Sequence, residues 1–186
     1  LNVIGPAHGV GLHTTSTIMF GLVERPVHWA RHLRRLRALQ ERTGGISEFV
    51  PLGYVHMEAP LWRKGRTRSG PSFREAVLMH AVPRLVLHPL IRNIQTSWVK
   101  MGTEGAAVCL DAGANDLGGT LMNESITRAA GGVHGQEQNA LQLQSLARRI
   151  GRPARQRSTL YGIPGEAPAA WAMRAASAAE SVGSAG

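Results

Sequence analysis

The residues able to do chemistry in this chain gather at the ends of short apolar runs. Thr14 to Glu24, TTSTIMFGLVE, is β-branched and apolar and ends in glycine and an acid. Gly21 would let backbone approach a ligand closely, and Glu24 could accept bonds from a ligand amine or hydroxyl. A plain strand-to-helix turn would use the same residues. In NIQTSWVK, strand alternation places Gln95, Ser97 and Val99 on one face and Thr96, Trp98 and Lys100 on the other. Polar side chains on a covered strand cost free energy unless they are partnered, so these mark a ligand pocket or an internal hydrogen-bond network. Asn115 and Asp116 open a further short run, ANDLGGT, with Glu124 just beyond. An acid followed by glycines at a strand's C-terminal end suits a polar ligand, and it also suits a turn. His56 follows the run ISEFVP, in a loop on the same presumed face.

Other candidates read as structural. His28 and His32 are spaced i, i+4, which can set two imidazoles on one helical face. No HExxH context surrounds them and arginines do, so surface histidines are expected. Cys109, the only cysteine, falls in the helical run from Ala106 to Leu110 and reads as a buried, inert thiol. No metal site is expected in this chain.

The elements that must position these residues alternate. Strands are expected at about Thr14–Phe20, Ile46–Val50, Asn93–Trp98 and Asn115–Gly118, with helical patterns between them. Leu1 to Val10 reads as the tail of a helix ended by Gly9 and Gly11. Pro26 suits a first helical turn, and Trp29, Leu33, Leu36 and Leu39 follow at helical spacing until Thr43-Gly44-Gly45. Gly53 to Ser72 reads as a long loop, of the kind that is usually functional. Glu75–Leu87 is helical, with Leu78, Ala81, Val82 and Leu85 as its apolar stripe, although Pro83 interrupts it. Gly102–Ala112 and Gln138–Ile150 complete the helices, the last burying Leu143, Leu146, Ala147 and Ile150. Residues 163–186 are rich in Ala, Gly and Ser and read as a disordered tail after a folded region of 1–162.

Four strand–helix units of this kind describe half of a parallel α/β barrel. Four cannot close one, so the chain is either an open sheet of another topology or is completed by partner units ahead of Leu1; the helix tail at residues 1–10 favours the second. With 43% hydrophobic residues in 186, a real core is within reach. No apolar run reaches the roughly 18 residues of a membrane span, and the single cysteine fits a reducing cytoplasm. The formal charge of +9 raises the question of nucleic acid. Aromatics make up only 5% and none interleave with the arginines as stacking platforms would require, so the arginines read as solvated helix faces and no nucleic-acid partner is expected.

The segments TTSTIMFG, HWARHLRRLRALQERTGG, SEFVPL, NIQTSWVKMG, GANDLGGTLMNESITRAAG and IGRPARQRSTLYG resemble, in this order, the C-terminal half of the tyrosine-using subunit or domain of FO synthase. They span about Gly11 to Gly162. The menaquinone-pathway radical enzymes of the futalosine route are the nearest similar family. The resemblance implies the C-terminal half, about four βα units, of a (β/α)8 barrel that carries a 4Fe-4S cluster and S-adenosylmethionine. It implies transfer of the 4-hydroxybenzyl unit of L-tyrosine to 5-amino-6-(D-ribitylamino)uracil in deazaflavin synthesis. Thr17, Met19, Gly21 and Glu24 would then lie near the S-adenosylmethionine, and His56, Gln95, Ser97, Lys100, Asn115, Asp116 and Glu124 near the substrates. The family's cluster needs a C-x3-C-x2-C loop, so its ligands are expected upstream, with the missing half of the barrel and a companion FO synthase subunit or domain as further partners. An isolated chain would be inactive, and a non-catalytic binding remnant is the remaining alternative.

Overall fold

The computed structural model describes residues 3–121, 123–135 and 137–165. It comprises two compact units, Leu1–Arg152 and Pro153–Gly186. The tail expected over 163–186 falls, from 166 onward, outside the described residues.

The first unit is α/β. Its strands β1 (Thr14–Phe20), β2 (Ile46–Gly53), β3 (Asn93–Thr96) and β4 (Asp116–Leu117) form one parallel sheet in the order β1-β2-β3-β4. Helix α1 (Ile4–Gly9) precedes β1; α2 (Pro26–Thr43), α3 (Pro60–Arg63), α4 (Phe73–Leu87) and α5 (Trp98–Asp111) lie between the strands; and α6 (Ile126–Ala129) and α7 (Ala140–Arg149) follow β4. Parallel neighbours joined in sequence by helices are the arrangement of half a TIM-type barrel.

Local chemistry accounts for the elements. Pro26 opens α2 and Gly44 closes it in the left-handed conformation (φ 63°), where a side chain would be strained. Leu33, Leu36 and Leu39 of α2 are buried. They join Phe49 of β2 and Ile94 of β3 in the main core, each contributing on the order of 2 kcal/mol by leaving water. Gln40 links the end of α2 to the start of β2: its Nε2 donates to Ile46 O at 3.1 Å and its Oε1 accepts from Ile46 N at 2.7 Å.

The structure corrects two readings. On α4 the buried residues are Ala76, Met79, His80, Pro83 and Leu87. Of the expected stripe, Leu78 and Val82 are about 40% exposed and Leu85 81%. The helix is apolar on more than one side, so spacing alone does not select the face. The strand expected to reach Trp98 ends at Thr96 instead, and Ser97 becomes the N-cap of α5. Its carbonyl accepts from the N–H groups of Lys100 and Met101 at 3.1 and 3.0 Å. Trp98 and Lys100 therefore belong to a helical turn rather than to a strand face. That turn is set off from the rest of α5 by Gly102 (φ 67°, ψ 174°), a conformation closed to other residues.

Candidate functional site

The strand register defines two faces of the sheet. Ser16 pairs with Phe49, and Phe49 with Ile94, on the side that packs against the helices. Thr15 pairs with Glu48, Glu48 with Asn93, and Gln95 with Asp116 on the other side, which in a barrel faces the lumen. Gln95 is the centre of this lumen face. Its Nε2 donates to Glu48 Oε2 and to Asp116 Oδ2, each at 3.2 Å. Glu48 is buried, an unusual place for an acid on an open-facing strand. It went unrecognised in the sequence, although an acid in the middle of the strand run ISEFV was the available signal.

Three polar groups of the β3–α5 junction have no hydrogen-bond partner among the described residues: Gln95 Oε1, the Ser97 hydroxyl and the Lys100 ammonium. Ser97 and Lys100 are partly buried. Burial pushes the lysine's pKa below its ordinary value, and Glu124 opposes part of that shift. Glu124 itself accepts from the Thr127 N–H through both oxygens, at 2.9 and 3.1 Å, and so caps α6. Asn115 points elsewhere: its Oδ1 accepts from Ile94 N at 2.9 Å and from Arg84 Nη2 at 2.6 Å. Arg84 also donates to Gly113 O and Arg92 O, tying the N-terminal ends of β3 and β4 together. Those bonds place Asn115 at the end of the sheet opposite to the strand mouths.

A second cluster surrounds Glu24. Its carboxylate accepts from the N–H groups of Gly21, Leu22 and Val23 and from Trp29 Nε1, and Arg68 Nη2 lies 3.7 Å away. Burial would push its pKa up, but the surrounding N–H donors outweigh it and hold the group below the usual carboxylate range. All its hydrogen-bonding capacity is turned inward. Gly21 (φ 94°) is buried, and a Cβ there would come within 2.3 Å of Pro71. The close approach that requires this glycine is made by the loop, not by a ligand. Thr17 and Met19 project from the lumen side of β1 and are exposed.

The loop Gly53 to Ser72 is fastened over this cluster. Arg68 donates to Glu75 Oε2 at 2.8 Å while facing Glu24, and its N–H donates to Leu22 O. The Arg68 guanidinium holds the Glu75 carboxyl at about 2. His56 packs within the same loop, edge-on to Trp62 with ring centroids 4.9 Å apart. The structure thus brings Gln95 and Asp116 together, gathers Ser97 and Lys100 at the adjoining turn, and leaves Glu24, His56 and Asn115 in separate contacts.

No group of three or more His, Cys, Asp or Glu side chains is placed to hold a metal among the described residues. Cys109 is buried in α5, and burial pushes its thiol up to about 11. An iron–sulfur cluster is held by several thiolates, so the residues of this chain do not fit one.

A parallel half-barrel whose polar groups collect on the lumen side and at the strand mouths has the fold of half a (β/α) barrel. The chain belongs to the family described as the CofH/MqnC C-terminal region, which it matches over residues 43–166. It is similar to the FO synthase of Nocardia farcinica, with 51% identity over 91% of this chain and 20% of that protein. It is also similar to the FO synthase of Streptomyces coelicolor, with 51% identity over 89% of this chain and 19% of that protein. A third relative is the 5-amino-6-(D-ribitylamino)uracil–L-tyrosine 4-hydroxyphenyl transferase of Methanopyrus kandleri, with 49% identity over 86% of this chain and 43% of that protein. The chain thus spans about a fifth of the length of the FO synthases and less than half of the transferase.

Proposed function

We propose that this chain is the C-terminal, substrate-facing part of a transferase that joins the 4-hydroxybenzyl unit of L-tyrosine to 5-amino-6-(D-ribitylamino)uracil in FO formation. The observation that carries the reading is identity of about 50%, across nine tenths of the chain, to proteins named for that activity. Gln95 Oε1, the Ser97 hydroxyl and the Lys100 ammonium, which have no hydrogen-bond partner among the described residues, support it, since they offer a donor-bearing substrate an acceptor and an anionic group a cation. S-adenosylmethionine and a 4Fe-4S cluster belong to the same reading, with the cluster's cysteines outside these 186 residues. When bound, that pair supplies a radical. The residues described here bind and orient the two substrates, and the isolated chain does not turn over.

The test is to prepare the complete gene product without oxygen, reconstitute its iron and supply S-adenosylmethionine with both substrates. FO, followed by fluorescence and mass, is the expected product; the 186-residue chain should give none. A cluster-loaded protein that consumes neither tyrosine nor the aminouracil would sink the reading. The matched family is described under two names, CofH and MqnC, and a menaquinone-route enzyme is the alternative reading. Turnover of a futalosine-derived substrate in place of the aminouracil would select that second reading.

A further inference from the structure

The Gln95 carboxamide is held between two carboxylates. An amide nitrogen carries two protons, and here both are used, one by Glu48 Oε2 and one by Asp116 Oδ2. Turning the amide over would set its carbonyl against a carboxylate, acceptor facing acceptor, and both bonds would be lost. The polarity of the group is therefore fixed: nitrogen toward the acids, oxygen away from them. That oxygen receives no hydrogen bond from the described residues.

The oxygen lies beside Gly118, just beyond β4. A Cβ at Gly118 would stand 3.8 Å from Gln95 Oε1 and 3.7 Å from Trp98 Cδ1, both ordinary contacts. Gly118 is not in the left-handed region, so its backbone does not demand glycine. What the missing side chain provides is an open approach to the amide oxygen.

We infer that Gln95 Oε1 is a dedicated acceptor for an N–H or O–H donor of a substrate, held in that polarity by Glu48 and Asp116 and kept accessible by Gly118. The inference rests on the function proposed above. The donor chemistry is shared by two sources: the ring N–H and amine groups of the aminouracil, and the ammonium and phenol of tyrosine. Glu48 and Asp116 are positioning residues, since they act through the amide.

Calorimetry on the complete gene product, titrated separately with L-tyrosine and with 5-amino-6-(D-ribitylamino)uracil, tests this without turnover. Gln95→Met removes the acceptor at similar volume, and Gly118→Val closes the approach while leaving the amide in place. Both variants should weaken the same substrate tenfold or more and leave the other within twofold; the substrate affected identifies the donor. Glu48→Gln, which frees the amide to turn, should weaken that substrate alone by several-fold. A purely structural role for the trio would weaken both substrates together, and that result, or no change in either, overturns the inference. Failure of the unaltered protein to bind either substrate would instead remove the functional reading beneath it.

Discussion

Arg68 carries more of the site's architecture than any single residue named from the sequence. It joins the acid after β1, Glu24, to the capping acid of α4, Glu75, from near the C-terminal end of a twenty-residue loop. Glu75 has a folded pKa of about 2 against 4.5 for the free group. A depressed carboxylate stabilises the fold at pH above about 4.5, and that contribution drains away as pH falls toward 2. Arg68→Met should therefore lower stability by about 1 kcal/mol near neutrality, a modest value because the pair is partly solvated. The deficit should shrink as the solution is acidified from pH 5 to 2. Urea titrations at several pH values measure it, and a deficit that does not change with pH would refute the link. Cys109 makes the opposite kind of prediction. With its thiol buried and raised to about 11, it should resist disulfide reagents at pH 8 until denaturant opens the core. Rapid modification of the folded chain would contradict this burial. Why some residues announced themselves and others did not is clear at this scale. Gln95, Ser97 and Lys100 stood out because polar groups at the end of an apolar run demand partners. Arg68 did not, since its partners are 44 residues upstream and seven downstream, and nothing local to it signals either.

Among the elements, α5 shows where local pattern misleads. The run NIQTSWVK alternates well enough to read as strand through Trp98, yet the peptide N–H groups of Lys100 and Met101 turn back onto Ser97. The switch depends on Gly102, whose backbone angles let a single turn stand apart from the following helix. A Cβ there would approach His134 Nδ1 to 2.8 Å as well as straining the backbone. Gly102→Ala should cost about 2–3 kcal/mol, clearly more than Gly44→Ala at the C-cap of α2, where about 1 kcal/mol is expected and open space surrounds the site. Thermal melts of the two variants side by side would check the ranking, and equal losses would argue against a special role for the Gly102 hinge. On α4 the positions were legible and the face was not. Leu85 and Val82 look as buriable as Met79, and only the packing of Pro83 and His80 into the sheet side decides between them.

At the level of the whole molecule, the alternating strand and helix signals were enough to recover the parallel sheet, because each unit is local and each strand pairs with its neighbour in sequence. The fastened loop and the tied ends of β3 and β4 were hidden, because they depend on contacts between residues far apart in the chain. Among the described residues β1 pairs with β2 alone, which leaves its other edge open, and the side chain of Met19 on the same strand is exposed. The 186-residue chain by itself should therefore associate as its concentration rises, and sedimentation velocity across a hundredfold range would show this. A monomer that unfolds cooperatively at every concentration would mean that the edge is protected by other means.

The strictly sequential strand order has a further consequence for how such a chain is made. Each new strand leaving the ribosome meets an edge completed moments earlier, and no pairing has to wait for a segment not yet synthesised. β2 can settle on β1 before β3 exists, and the two-residue β4 arrives last, onto a sheet that is already in place. Assembly of the lumen face therefore follows translation: Glu48 is waiting when Gln95 emerges, and Asp116 completes the pair.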